Sequence, residues 1–223
     1  MTESVVWAWA GLLALGVWHG INPSMGWLFA VALGLQEGRA RAVWRALGPL
    51  ALGHALAIGG ALAVAAALGL IVPLGLLRWI VAIALVAFGV WKLVRNRHPR
   101  WVGMRVGARD LTLWSLLMAS AHGAGLMVLP FALRIGSDAG AGASGASNAT
   151  AAPHHAGLVL ADAGAAGIWA TAVHTAGYLL VTGVLAVVVY RVVGLRLLRS
   201  AWVNLDVVWA CALILTGILT PLL

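Results

Sequence analysis

The sequence predicts an all-α integral membrane protein with one domain of six transmembrane helices. We expect two inverted three-helix repeats, at about 5–94 and 110–221, joined by a basic loop at 95–109. Hydrophobic residues make up 63% of the 223 residues and charged residues only 9%, and the mean hydropathy is +1.01. A soluble domain of this length would carry far more charge. The basic residues also cluster between apolar runs, as they do in cytoplasmic loops of membrane proteins.

The charge and cysteine content exclude several classes of function. A net charge of +8 would fit a nucleic-acid partner, but the positive-inside rule accounts for the basic clusters, so no nucleic acid is expected. Cys211 is the only cysteine, which excludes an intrachain disulfide and a dithiol redox pair. The N-terminus carries Glu3 where a signal peptide would carry basic residues, so no removable leader is expected.

Six apolar runs reach the length of about 20 residues that a transmembrane helix needs. They lie at about 5–35, 43–70, 73–94, 111–135, 157–190 and 201–221. The first run contains Asn22-Pro23, where we expect a helix break because proline lacks a backbone donor. The fifth run is longer than needed, which predicts a tilted helix or a start outside the membrane.

The distribution of basic residues predicts the orientation of the helices. Three alternate segments carry most of them: Arg39, Arg41 and Arg45; Lys92, Arg95, Arg97, Arg100, Arg105 and Arg109; and Arg191, Arg196 and Arg199. These segments are predicted to be cytoplasmic, which places both termini outside a bacterial-type cytoplasmic membrane. The Gly/Ala/Ser-rich segment 137–156 is expected to be a flexible extracytoplasmic loop. Its His154-His155 pair either captures metal ions weakly or is simply solvated.

An internal repeat relates the two halves of the chain. His19-Gly20 in span one corresponds to His122-Gly123 in span four, and His54 in span two corresponds to His174 in span five. Each unit would have three helices, an odd number, so the second copy would be inserted upside down relative to the first. Chance similarity between Ala/Leu/Val-rich helices is the alternative. A true repeat would bring the four histidines together near the middle of the bilayer.

Polar groups inside the spans are the candidate functional residues, because each is unfavourable in hydrocarbon without a partner. Imidazole suits Zn, Cu, Ni and Fe ions, whereas a lone membrane histidine often only forms a hydrogen bond to another helix. The candidate metal ligands are His19, His54, His122, His174, Asn22 and Met25. Met25 would favour Cu(I) if it is a ligand, although methionine in an apolar helix usually serves packing.

Three further polar residues are candidates for the substrate path or for proton coupling: Ser24, Asn204 and Asp206. Asp206 would be the only carboxylate of span six, and it could couple proton movement to transport. It equally fits an acid that is favoured at a helix N-terminus by the helix dipole.

The segment from His19 to Met25 resembles a first-helix motif of the lysine-exporter superfamily, in its nickel/cobalt (NicO-type) branch. That motif has the form His-x-x-acid-Pro-x-His, and a second-helix motif has a histidine at its core. His19, Pro23 and His54 match, whereas Asn22 replaces the acid and Met25 the second histidine. The resemblance implies a transporter of nickel or cobalt. A site without the carboxylate carries less negative charge and is less suited to a hard divalent ion.

The leading prediction is a transporter that moves a transition-metal ion, namely Cu, Zn, Ni or Co, by alternating access. The first alternative is a membrane haem protein in which two histidines ligate the iron, and the second is an exporter of an amino acid or other small solute. An intramembrane enzyme is less expected because the few carboxylates lie near the starts of the spans and dense His-x-x-His clusters are absent from the sequence. The lipid bilayer is the expected partner, and a homo-oligomer is left open.

Overall fold

The structure, a computed structural model, describes residues 3–69, 74–94, 107–144, 154–193 and 205–222. The regular elements of these residues are all helical, which confirms the all-α prediction for them. Eight α-helices follow in chain order: α1 Glu3–Ile21, α2 Trp27–Glu37, α3 Ala40–Gly69, α4 Leu74–Val94, α5 Ala108–Ala121, α6 Ala124–Ser144, α7 His154–Val188 and α8 Leu205–Leu219. A 3-10 turn, Pro23–Met25, links α1 to α2, and a π-helical segment, Val189–Val193, ends α7.

Several of these helices are long and apolar enough to cross a membrane. Three qualify alone, at Ala40–Leu68, Gly75–Val94 and Gly164–Val192, and the bent pair Ala108–Ala121 with Ala124–Gly136 makes a fourth if it is one span. This content of apolar helix fits a membrane protein. The remaining apolar helices, Val5–Ile21, Trp27–Glu37 and Ala210–Leu219, are shorter than a full span. The count of six spans and their orientation therefore stay predictions.

The expected break in the first predicted span is present and divides it into α1 and α2. Asn22 caps the turn that follows α1, because its side-chain oxygen accepts a hydrogen bond from the Ser24 backbone N–H. Pro23 begins the 3-10 turn, where its missing N–H does no harm. Gly26 closes the turn with φ +119°, a conformation that other residues rarely adopt.

The fourth predicted span is also interrupted, which the sequence analysis did not predict. Helices α5 and α6 meet at His122-Gly123 with a bend of 67°. Gly123 has φ +70°, and its left-handed conformation ends α5 in the way typical of a helix C-terminus. Both interruptions therefore lie within a few residues of a His-Gly pair.

The segment predicted as a flexible loop, 137–156, overlaps two helices. Helix α6 continues to Ser144, and α7 begins at His154. Residues 145–153, between them, lie outside the described residues.

Three helix pairs make the most extensive contacts: α1 with α7, α3 with α5, and α4 with α8. Helix α7 also packs on α3 and α6, so it lies at the centre of the bundle. Glycine allows the closest approaches. A Cβ atom added at Gly16 of α1 would collide with the carbonyl oxygen of His174, and one added at Gly53 of α3 with that of Thr112. These contacts fix the distance between the helices that carry the predicted histidines.

Candidate histidine site

The four histidines predicted inside the membrane are all buried. His19, His54 and His174 are 0% exposed and His122 is 3% exposed. They belong to α1, α3, α7 and the C-terminal end of α5, respectively. Complete burial of a polar ring is costly unless the ring has a partner or a function.

Three of these histidines form one compact group, which we call the histidine cluster: His19, His54 and His174. The ring centroids of His19 and His174 are 4.9 Å apart, those of His54 and His174 5.4 Å, and those of His19 and His54 5.6 Å. The fourth buried histidine, His122, lies at the C-terminal end of α5. The repeat predicted that four histidines would meet, and the ring contacts join three of them, from α1, α3 and α7.

Backbone carbonyls fix the tautomer of three of the histidines. The Nδ1 atom of each ring forms a hydrogen bond with a backbone carbonyl oxygen. The pairs are His19 with Leu15 at 2.8 Å, His122 with Met118 at 2.8 Å and His174 with Leu12 at 3.2 Å. A carbonyl oxygen only accepts, so Nδ1 carries the hydrogen in each pair. In a neutral ring, Nε2 then presents a lone pair. Histidines that ligate metals are usually held in this way by their second nitrogen.

His54 has a different environment. Neither of its ring nitrogens has a hydrogen-bond partner among the described residues, although both are buried. Its ring stacks on that of Tyr178, with centroids 4.1 Å apart and planes 13° from parallel. A buried donor and acceptor without partners is rare in folded proteins and is usually explained by strain, by a functional role or by a bound water or ion.

In the described part of the chain, no group of three or more His, Cys, Asp or Glu side chains is arranged to hold a metal ion. The ring orientations give a reason. A ligating nitrogen directs its lone pair within the ring plane, whereas the rings of His54 and His174 are parallel to within 1°. Two stacked rings do not aim at one ion. The cluster would need rotation of at least one imidazole to ligate a metal.

Asn22 and Ser24 use their oxygen atoms within the turn. The Asn22 side-chain oxygen accepts from the Ser24 backbone N–H at 3.0 Å and from the Ser24 hydroxyl at 2.6 Å. The predicted oxygen donors thus stabilise the break between α1 and α2. The side-chain nitrogen of Asn22 is buried and has no partner among the described residues.

Three backbone carbonyls near the break accept hydrogen bonds from aromatic side chains. The pairs are Trp27 Nε1 to Ile21 at 3.1 Å, Trp114 Nε1 to Ser24 at 2.9 Å and Tyr178 Oη to Met25 at 2.7 Å. The sequence analysis missed Trp114 and Tyr178 in this role. Tyr178 follows His174 by four residues, one helical turn, and this spacing in an apolar helix was the available signal.

The side chains of the other predicted site residues are outside the described part of the chain. Asp206 falls in the first turn of α8, a helix that packs along α4, but its side chain lies outside the described part of the chain. The same holds for the side chains of His154 and His155, at the start of α7. Asn204 lies outside the described residues altogether.

Comparison of the chain with protein-family models, with curated proteins and with solved structures finds no match. Membership of the lysine-exporter superfamily therefore stays a prediction, based on His19, Pro23 and His54. The function is argued below from the geometry of the site.

Proposed function

We propose that this protein moves a transition-metal ion across a cytoplasmic membrane, with the histidine cluster as the ion site inside the bilayer. The observation that carries the proposal is the meeting of His19, His54 and His174, fully buried, with ring centroids 4.9 to 5.6 Å apart. His19 and His174 present Nε2 lone pairs, since their Nδ1 atoms donate to carbonyls. Such a group has affinity for a cation.

The spacing of the rings fits ligation of a single ion. A ligating nitrogen lies about 2.0–2.1 Å from zinc, which places the ring centroid about 3.2 Å from the ion. Tetrahedral angles would then put neighbouring centroids about 5.2 Å apart. The three measured separations, 4.9, 5.4 and 5.6 Å, lie on both sides of that value. Loading would need rotation of the rings and little movement of the helices.

The same spacing argues against the haem alternative. Two histidines on opposite sides of a haem iron would have centroids about 6.4 Å apart, with a porphyrin between them. His19 and His174 are 4.9 Å apart, and the α1 and α7 backbones touch at Gly16, so these helices leave no slot for a porphyrin between those two rings.

The packing of the helices supports an inverted repeat as part of this proposal. In such a repeat, α1 to α4 correspond in order to α5 to α8. The contact between α1 and α7 then corresponds to that between α5 and α3, and the contact between α2 and α3 to that between α6 and α7. His19 and His122 both donate Nδ1 to the carbonyl four residues earlier, just before an interruption. We propose six crossing segments with both termini outside, a site at the repeat interface, and alternating access between the two halves.

The proposal is tested by ion binding to the purified protein. Equilibrium dialysis against Cu, Zn, Ni and Co, followed by elemental analysis, should find one of these ions bound at about one per chain. His54→Ala should weaken that binding at least tenfold. His98→Ala, a histidine of the predicted basic loop 95–109, is the matched control and should bind as the unmodified protein does.

Two results would contradict the proposal. One is a folded, monodisperse protein that binds none of these ions. The other is equal affinity in the unmodified protein and in His54→Ala. Transport of the bound ion into proteoliposomes, lost in His54→Ala and kept in His98→Ala, completes the test.

A further inference from the structure

We infer that the transported ion is a soft monovalent cation, Cu(I), which Ag(I) can replace in experiments, and that the thioethers of Met25 and Met118 ligate it together with His54. The inference rests on the proposed function and names its substrate. Three features of the described residues carry it: the charge of the site, the position of the two methionines, and the environment of His54.

No described carboxylate side chain lies at the histidine cluster. The three that the structure describes, Glu3, Glu37 and Asp110, are all exposed. Glu37 pairs with Arg45 at 3.5 Å, and Asp110 accepts from the backbone N–H of Gly107. Asp162 is on α7, twelve residues before His174, which is about 18 Å along a helix. The ligands that the described side chains offer the ion are therefore neutral.

A neutral site discriminates between ions by their charge. The cost of moving an ion out of water into a medium of low dielectric rises with the square of its charge, so a divalent ion costs about four times as much as a monovalent one of the same size. Neutral nitrogen and sulfur ligands offset part of that cost but cancel no charge. The described side chains of the site therefore favour an ion with a single charge.

Two buried methionines supply soft donors next to Tyr178, the residue whose ring stacks on His54. Met25 is 1% exposed and Met118 7% exposed, and both pack with Tyr178 in one buried cluster. The Tyr178 ring in turn stacks on His54. Met25 comes from the break after α1 and Met118 from α5, so each half of the chain contributes one thioether. Thioether and imidazole together select Cu(I) over hard divalent ions.

Their link to His54 distinguishes Met25 and Met118 from methionines that serve only packing. Met127 is the contrasting case, since it is also fully buried but packs in another cluster, with Leu85 and Leu213. Among the described methionines, Met25 and Met118 are the two that share a cluster with Tyr178. The Tyr178 ring stacks on His54, whose ring nitrogens have no hydrogen-bond partner in the described part of the chain.

Competition binding on the purified full-length protein tests the inference. Ag(I), and Cu(I) under anaerobic reducing conditions, should bind at least a hundredfold more tightly than Zn(II), Ni(II) and Co(II). The double variant Met25→Leu/Met118→Leu keeps the buried volume and should lose at least tenfold in Ag(I) affinity. Met127→Leu is the matched control and should bind Ag(I) with unchanged affinity. Thermal melting of each variant shows whether it is folded.

The outcomes separate this inference from the proposed function. His54-dependent binding of Zn(II), Ni(II) or Co(II) that is tighter than binding of Ag(I) would overturn the monovalent substrate and leave the transporter standing. Unchanged Ag(I) affinity in the folded double variant would overturn ligation by the thioethers. A folded protein that binds no metal ion at all would contradict the proposed function itself.

Discussion

Gly16→Val is expected to prevent folding of the native bundle. Even the first side-chain atom at this position would overlap the carbonyl oxygen of His174, and the peptide N–H of Tyr178 lies close by. Overpacking against flexible side chains costs about 1–3 kcal/mol. The colliding atoms here belong to the α7 backbone, which cannot rotate away, so the effect should exceed that range. Size-exclusion chromatography and thermal melting in detergent should show aggregated or strongly destabilised protein.

Gly60→Val is the matched control for this prediction. Gly60 is on α3, is exposed on the bundle surface, and a Cβ atom added there meets no atom within 4 Å. The two substitutions add the same side chain to an apolar helix and differ in the space available. Gly16→Val protein that elutes and melts like Gly60→Val protein would show that α1 and α7 are not in the described contact.

Tyr178→Phe should slow transport while leaving ion binding nearly intact. The substitution keeps the ring that stacks on His54 and removes the hydroxyl that donates to the Met25 carbonyl at 2.7 Å. A buried carbonyl left without its donor costs about 1–3 kcal/mol, and the broken segment beside the site loses its anchor to α7. The melting temperature and the initial rate of Ag(I) uptake into proteoliposomes should fall, whereas Ag(I) affinity should change by less than about threefold.

Tyr190→Phe is the control, since Tyr190 is the other tyrosine of the chain and its ring packs near Gly34 of α2, away from the histidine cluster. It should match the unmodified protein in all three measurements. A Tyr178→Phe protein that also matched it would show that the hydroxyl contributes neither to stability nor to transport.

Local signals in the sequence predicted part of this arrangement. Pro23 predicted the first helix break because proline lacks the backbone N–H that an α-helix needs, whatever the tertiary surroundings. The proposed repeat predicted that four histidines would meet, and three of them, His19, His54 and His174, form the cluster. The bend at His122-Gly123 was missed because a single glycine is tolerated inside a helix and does not by itself predict a turn.

Long-range contacts explain the remaining differences. Asn22 and Ser24 were predicted to offer oxygen atoms to an ion, but in the structure those atoms bond each other and close the turn. Tyr178 and Trp114 bond carbonyls that are 153 and 90 residues away along the chain. Pairings at such separations depend on how the helices pack, which hydrophobic periodicity does not specify.

The origin of those two donors has a consequence for biogenesis. The Ser24 and Met25 carbonyls belong to the first half of the chain, whereas Trp114 and Tyr178 are synthesised later, on α5 and α7. In the proposed topology the first half enters the bilayer before either donor exists, and lipid offers a carbonyl no hydrogen bond. We therefore expect the newly inserted first half to keep its broken segment near water or near the insertion machinery until α5 and α7 arrive. The second half would then act as an intramolecular assembly factor for the first.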